Sequence, residues 1–270
     1  LNAPAGNGEF VTDKPYKLIG DAVEIDLTET WKYKVGTDMA EAMQYADRLK
    51  NRKNVGSGLY NGMIYPLRNY KVKAAIWYQG ESNSGRPHEY NALMTSLIEN
   101  WRELWPDMPF LLVQLPNFMQ KHPQPTDSGW ARIREAQLQA FKNIPNTALA
   151  VNYDIGEWND IHPLNKKTLA QRLFLGARKL VYGEKITASG PIYKDMKISG
   201  NKIIITFTET GKGLAIRGGE KALKHFAIAG DDQKFVWADA VIKGNTVVVS
   251  SKDVPQPVAV RYAWADNPDD

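Results

Sequence analysis

Apolar positions follow two different spacings over the first two thirds of the chain. A spacing of three or four residues predicts amphipathic helices over residues 39–49, 87–101, 130–141 and 169–180. Short continuous apolar runs predict buried strands over residues 74–78, 110–115 and 147–153. Strands that alternate with helices predict a parallel sheet covered by helices on both faces. In such a sheet, the reactive residues lie in the loops at the carboxyl ends of the strands.

After Gly190 the helical spacing is replaced by short strands between turn residues. The strands are predicted over residues 192–198, 203–208, 222–229, 234–238, 241–242, 246–250 and 258–262. Two Gly-Asn pairs, at 200–201 and 244–245, predict hairpin turns. The pattern therefore indicates an α/β domain over residues 37–185 and a small all-β, sandwich-like domain over residues 186–270. Residues 1–36 fit neither, and Val23–Leu27 is either a strand or a linker.

Composition excludes several classes of protein and site. The 270 residues include no cysteine, which excludes disulfides, a thiol nucleophile and any cysteine-ligated metal site. No apolar run approaches the about 20 residues of a membrane-spanning helix. The net charge is +4, but basic and acidic residues are interspersed, which argues against a nucleic-acid-binding arm. The chain opens on Leu1 and a polar Gly/Asn stretch, without a visible signal peptide.

The loop after the third predicted strand, residues 154–163, carries an Asp-x-His pair. The carboxylate of Asp160 can reach the imidazole of His162, hold its tautomer and stabilise the imidazolium when His162 accepts a proton. Pro163 is the expected first residue of the next helix. The competing interpretation is a capping loop in which Asp160 binds backbone amides and His162 is surface.

The loop after the first strand, residues 79–85, offers amide donors and a serine. Gln79 and Asn83 either donate to a developing oxyanion or close the turn. Gly62, after Asn61, offers a backbone N–H for the same purpose or permits a turn. Ser82 half-matches a nucleophile elbow, but Ser84 replaces its final glycine, so Ser82 is a minor candidate; Ser57 is interpreted as part of a loop.

Two other chemistries fit these loops less well. A metal site would have to use His162, Asp160 and Asp154 without a second clustered histidine. A glycosidase would need the Glu81 and Glu157 carboxylates about 5–10 Å apart. Trp77, Tyr78 and Trp158 are candidates for stacking on sugar rings, although aromatic residues near strand ends more often belong to the core.

Three blocks resemble the sialate O-acetylesterase family, carbohydrate O-acetylesterases of the SGNH hydrolase superfamily. They are Leu59–Ile64, Ile76–Asn83 and Asp160–Pro163. The resemblance extends to residues 110–118, 132–137 and 262–268, and so includes Gln114 and Arg134 as further candidates for the site.

The resemblance implies an SGNH-type three-layer α/β/α fold and a serine nucleophile activated by His162, with no metal or organic cofactor. Asp160 would orient His162, with Asp154 as the second candidate. The oxyanion hole would combine the serine N–H, the Gly62 N–H, and the amide of Gln79 or Asn83. Glu81 and Asn61 would lie beside these groups.

The chain departs from the pattern of the family at three places. The superfamily has a Gly-x-Asn-Asp block, and this chain has Ser82 where that block has asparagine. The superfamily also spaces its acid and base as Asp-x-x-His, and this chain has Asn159 where that motif has aspartate. The Gly-[Asp/Gln]-Ser block of the nucleophile is absent, and residues 1–36 resemble the tail of a β domain that the family inserts after that block. We therefore expect an incomplete sheet and a nucleophile upstream of Leu1, on a preceding segment or companion chain.

The function implied by the resemblance is removal of acetyl groups from O-acetylated sialic acid, such as the 9-O-acetyl form. An esterase acting on acetylated plant polysaccharide such as acetyl xylan, and a non-catalytic carbohydrate-binding fragment, are the alternatives. The location implied is periplasmic or secreted, with a signal upstream of this chain. The expected partner is an acetylated sugar, with no nucleic acid and no membrane span.

Overall fold

The chain divides into two units, Leu1–Ile64 and Tyr65–Asp270, in a computed structural model. The structure describes residues 17–20, 22–26, 56–217 and 222–268. The helix predicted over residues 39–49 lies outside these ranges, as does most of the segment 1–36.

The first unit contains a β-hairpin and an irregular turn. The strands β1 (Lys17–Gly20) and β2 (Val23–Asp26) pair antiparallel, which confirms the strand alternative for most of Val23–Leu27. A five-residue π-helical turn, Tyr60–Ile64, contains the predicted oxyanion residue Gly62.

Three parallel strands form the sheet of the second unit, as the alternating pattern predicted. They are β3 (Ala75–Trp77), β4 (Phe110–Val113) and β5 (Thr147–Ala150), in the order β3-β4-β5. All of β4 is buried, because its four apolar residues face helices on both sides of the sheet. The third strand ends at Ala150 and not at residue 153, because the chain turns there and the Ile155 N–H donates to the Asn152 carbonyl.

Helices cover both faces of this sheet. They are α1 (Pro87–Leu104), α2 (Gly129–Asn143) and α3 (Lys166–Leu180). Helices α1 and α2 pack on the face of Phe110 and Leu112, whereas α3 packs through Leu169 on the face of Val113. The alternation of side chains along β4 thus produces an α/β/α arrangement. None of the helices in the described ranges combines the length and apolar character needed to span a membrane.

The second half of this unit consists of short antiparallel strands. They are β6 (Ile192–Ser199), β7 (Lys202–Thr208), β8 (Phe226–Ala229), β9 (Val236–Trp237), β10 (Asp239–Lys243), β11 (Thr246–Ser250) and β12 (Ala259–Tyr262). Their orders are β10-β11-β7-β6 and β12-β8-β9, and both sheets contribute side chains to one hydrophobic cluster. Gly200 and Gly244 have positive φ in two-residue turns, which confirms both predicted hairpins. Strand β8 begins at Phe226, later than predicted, because the left-handed backbone of His225 interrupts the extended conformation.

Candidate active site

The loop after β3 is held in place by hydrogen bonds to its backbone. The Gln79 carbonyl accepts from the Tyr90 hydroxyl at 2.7 Å and from Gln137 Nε2 at 3.0 Å. Gly80 has a φ of 153°, and a Cβ at this position would lie 3.0 Å from Gln137 Nε2 and from Ile133. Only glycine fits this sharp turn without displacing its neighbours.

The side chains of this loop bind one another. Gln79 Nε2 donates to Asn83 Oδ1 at 2.8 Å, so the two predicted amide donors bind each other across the turn. Ser82 is exposed in the single 3-10 turn Glu81–Asn83. Its hydroxyl makes no hydrogen bond to any residue within the described ranges.

A hydrogen bond connects the loops that follow the two outer strands. Asn152 follows β5, is fully buried, and donates through Nδ2 to the Tyr78 hydroxyl at 3.2 Å. The Lys166 ammonium, at the start of α3, lies 5.2 Å from the centroid of the Tyr78 ring. Burial, followed by the nearby Glu81 charge, raises the pKa of Tyr78 to about 12, so this hydroxyl stays neutral at physiological pH. These contacts bring the Gln79 loop and the His162 loop to the same edge of the sheet.

The His162 loop is shaped by carboxylates that accept backbone amides. Asp160 Oδ1 accepts from the His162 N–H at 2.7 Å, and Glu157 Oε1 accepts from the Leu164 N–H at 3.3 Å. Asp160 therefore contacts the backbone of His162, as in the capping interpretation, and the exposed imidazole has no hydrogen-bond partner in the described part of the chain. The helix that follows begins at Lys166 and not at Pro163, because Asn165 accepts from the Thr168 N–H and caps it.

Asp154 faces two arginines. Its carboxylate forms a bidentate pair with Arg172, at 2.6 and 2.7 Å, and a second ion pair with Arg217. Burial alone would raise the pKa of Asp154, but the hydrogen bonds and charges of the arginines outweigh it and lower the pKa. The pair connects the loop after β5 to helix α3.

The predicted residues Gln114 and Arg134 form hydrogen bonds inside the fold. Gln114 Nε2 donates to the Arg134 carbonyl at 2.9 Å. The Arg134 guanidinium donates to the carbonyls of Ala263 and Ala265, and burial lowers its pKa to about 10. In this structure the two side chains connect β4, α2 and the segment that follows β12.

The remaining candidates differ in exposure. Trp77 packs edge-on against Trp101 in the core, whereas Trp158, in the same loop as His162, is 54% exposed. Gly62 is exposed, and the preceding Asn61 donates its backbone N–H to the Ser57 carbonyl at 2.8 Å.

Sequence reasoning missed the asparagines that support the His162 loop. Asn117 Oδ1 accepts from the Gly156 N–H at 2.6 Å, and Asn117 Nδ2 donates to Asn267 Oδ1 at 3.1 Å. A Cβ on Gly156 would collide with the oxygens of Asn117, which requires glycine there. Their wide separation in sequence left no local pattern to detect them, although Asn117 and Asn267 both lie in segments that resemble the family.

With this geometry established, comparison with known proteins identifies the family. A family model described as "Carbohydrate esterase, sialic acid-specific acetylesterase" matches residues 27–174, more than half of the chain. The chain belongs to this family. The matched range includes both loops of the candidate active site and Gly62.

Individual relatives agree with the family assignment. Sialate O-acetylesterases from Homo sapiens and Mus musculus are 35% and 33% identical over 78% of this chain. The crystal structure of a carbohydrate acetylesterase from Xanthomonas citri is 42% identical, with a TM-score of 0.73 over 78% of this chain. The alignments span only 44% of the human protein, 43% of the mouse protein and 49% of the Xanthomonas chain.

Proposed function

We propose that this chain is the C-terminal part of a carbohydrate O-acetylesterase that releases acetate from O-acetylated sialic acid. Acetylated xylan is the second candidate substrate. The proposal is supported by the family assignment and by the similarity to sialate O-acetylesterases and to a bacterial carbohydrate acetylesterase. The contact that carries it structurally is the Tyr78–Asn152 hydrogen bond, because it joins the two loops that the mechanism needs.

The mechanism is a double displacement at a serine. The serine Oγ attacks the acetyl carbonyl and gives its proton to the imidazole of His162. His162 then passes this proton to the sugar oxygen, which leaves as the alcohol, and an acetyl-enzyme remains. Water attacks the acetyl-enzyme, again with His162 as base, and acetate is released. Asp160 is the proposed orienting acid, with Asp154 second.

The amide of the oxyanion hole belongs to Asn83 in this proposal. Gln79 Nε2 donates to Asn83 Oδ1, so Asn83 Nδ2 is directed away from that bond and is available to the substrate oxygen. The Gly62 N–H and the serine N–H supply the other donors.

The proposed organisation follows from the absence of the nucleophile block. The serine comes from a segment upstream of Leu1 or from a companion chain, and completes the sheet of the SGNH-type domain over residues 37–185. Residues 1–36 are the tail of an inserted β domain, and residues 186–270 a sandwich-like domain. The whole protein is periplasmic or secreted.

Acetate release tests the proposal. We expect the 270-residue chain alone to be inactive on 9-O-acetyl sialic acid, and a protein that includes the upstream segment to be active. In that active protein, His162→Ala should lower kcat by about 10²–10⁴-fold, because the general base is lost. His88→Ala, at an exposed histidine of α1, is the matched control and should leave kcat unchanged.

Two outcomes would contradict this proposal. Activity of the isolated chain that Ser82→Ala abolishes would place the nucleophile at Ser82 and remove the need for an upstream serine. Activity that survives His162→Ala would show that another group is the base. Parallel assays on acetyl xylan separate the two substrate classes.

A further inference from the structure

Two buried asparagines connect the His162 loop to the segment that follows β12. Asn117, after β4, is 1% exposed, and Asn267 is 5% exposed. Asn117 Oδ1 accepts from the Gly156 N–H at 2.6 Å, and Asn117 Nδ2 donates to Asn267 Oδ1 at 3.1 Å. Asn267 Nδ2 then donates to the Met119 carbonyl at 3.0 Å. We call Asn117 and Asn267 the amide pair.

The two backbone groups at its ends fix the orientation of the amide pair. The Gly156 N–H can only donate, and the Met119 carbonyl can only accept. Each side chain between them must therefore accept through one atom and donate through the other, which a carboxamide does and an ionised carboxylate does not. Because both side chains are buried, an atom that loses its partner has little water to replace it.

Met119 attaches the amide pair to the His162 loop a second time. Its N–H donates to the Trp158 carbonyl at 2.9 Å, while its carbonyl accepts from Asn267. Met119 has a φ of 69°, a left-handed conformation that costs free energy in any residue other than glycine. Its two hydrogen bonds, one on each side of this strained residue, hold the backbone in that conformation.

From Trp158 the contacts continue to His162. Glu157 and Asp160 form an antiparallel bridge, and Asp160 Oδ1 accepts from the His162 N–H. The imidazole itself has no hydrogen-bond partner within the described ranges. The backbone of the loop is therefore what sets the position of the His162 ring, and the amide pair binds that backbone on both sides of Glu157.

We propose that Asn267 is a positioning residue for His162. It acts through Asn117 and Met119, which hold the loop at Gly156 and Trp158. Its role in catalysis rests on the proposed esterase function, in which His162 is the base, but the positioning itself does not. The segment after β12 thereby takes part in the candidate active site.

Kinetics of the active protein, which includes the upstream segment, test the catalytic role. Asn267→Asp keeps the size of the side chain but replaces the donor to the Met119 carbonyl by an oxygen. We expect kcat to fall about 10- to 100-fold with KM unchanged, because a displaced base weakens only the transition state. Asn201→Asp, exposed in the turn between β6 and β7, adds the same charge and should change neither constant.

NMR of the 270-residue chain tests the positioning without catalysis. The chain has four histidines, and the imidazole resonances of His162 are those that disappear in His162→Ala. Asn267→Asp should shift or broaden them and should speed hydrogen exchange of the Gly156 amide about tenfold or more. The resonances of His88, on α1, should stay as they are in the wild type.

A variant elsewhere in the fold separates positioning from a general loss of stability. Val249 is fully buried in β11, and Val249→Ala destabilises the protein by a cavity without touching the amide pair. At a temperature where circular dichroism shows it folded, it should leave kcat and the His162 resonances unchanged. If Asn267→Asp does not fold, Asn267→Ala, which adds no buried charge, replaces it with the same expected results.

His162 resonances that stay as in the wild type when Asn267 is changed would overturn the proposal. An equal loss of kcat in Val249→Ala would overturn it too, since the loss would then follow stability alone. If the protein with the upstream segment releases no acetate, the proposed function fails, while the His162 resonances of the 270-residue chain still decide the positioning.

Discussion

At the scale of single residues, one hydrogen bond decides between two amides of equal chemistry. Gln79 and Asn83 are four residues apart, and either could donate to an oxyanion. Because Gln79 donates to Asn83 Oδ1, its own amide is engaged and the Asn83 amide is oriented. The turn itself is held by the Gln79 main-chain carbonyl, which binds Tyr90 and Gln137, so a change of the Gln79 side chain leaves the turn intact.

This arrangement predicts unequal effects of two alanine substitutions in the active protein. Asn83→Ala should lower kcat by about 10²–10³-fold with little change in KM, because an oxyanion donor acts in the transition state. Gln79→Ala should lower kcat less than Asn83→Ala does, since it removes only the group that orients Asn83. The kinetics of acetate release measure both variants, and circular dichroism checks their folding. A larger loss for Gln79→Ala would reverse the assignment.

At the scale of helices and strands, the sequence predicted what local periodicity determines. The apolar run of β4 and the stripe of α1 around Ile98 were sufficient to predict both elements. The end of β5 and the start of α3 were each misplaced by three residues, because the side-chain contacts that set them leave no signal in the apolar periodicity. Asn152 binds Tyr78, 74 residues earlier, and the side chain of Asn165 caps α3, which begins at Lys166 and not at Pro163.

In the candidate active site, too, local sequence signals were found but not all contacts were predicted. An Asp-x-His motif and a polar loop after a strand are local signals, and both were found. The contact of Asp160 with a backbone amide was one of the two interpretations offered, whereas the contact of Asp154 was not predicted, because a carboxylate binds whichever guanidinium the fold brings within reach. For Asp154 that partner is Arg172, on a helix 18 residues later.

The Asp154–Arg172 pair predicts a pH-dependent contribution to stability at the junction of β5 and α3. Asp154→Asn should lower the free energy of unfolding at pH 7 by about 1–3 kcal/mol, because charged hydrogen bonds are lost. The pKa of Asp154 is lowered from 3.8 on folding, so its contribution is fully present above that value. It is lost as the pH falls through the lowered pKa, where the protonated carboxyl resembles the amide.

Urea unfolding of both proteins between pH 7 and pH 3 measures this difference. The difference in the free energy of unfolding between wild type and Asp154→Asn should be constant near neutral pH and should become smaller toward pH 3. Asp127→Asn is the control, because its ion pair with Arg132 is exposed to solvent and should contribute much less to stability. A difference in unfolding free energy that grew as the pH fell would contradict the proposed role of the Asp154 charge.

At the scale of the unit Tyr65–Asp270, the α/β part and the strands that follow it share buried polar contacts. The segment after β12 receives hydrogen bonds from Arg134 and Ser128 of the α2 region, and Asn267 pairs with Asn117. Such contacts between the predicted domains 37–185 and 186–270 favour cooperative unfolding of this unit.

Arg134→Met tests this coupling. Methionine fills much of the same volume but removes the guanidinium that donates to the part-buried carbonyls of Ala263 and Ala265, which should cost about 1–3 kcal/mol. Arg132→Met, two residues away on the same helix, breaks only an exposed ion pair and should cost much less than Arg134→Met. Urea unfolding followed by tryptophan fluorescence gives both values, and hydrogen exchange of residues 259–268 locates the loss. Equal midpoints for the two variants would mean that Arg134 does not couple the strands to the α/β part.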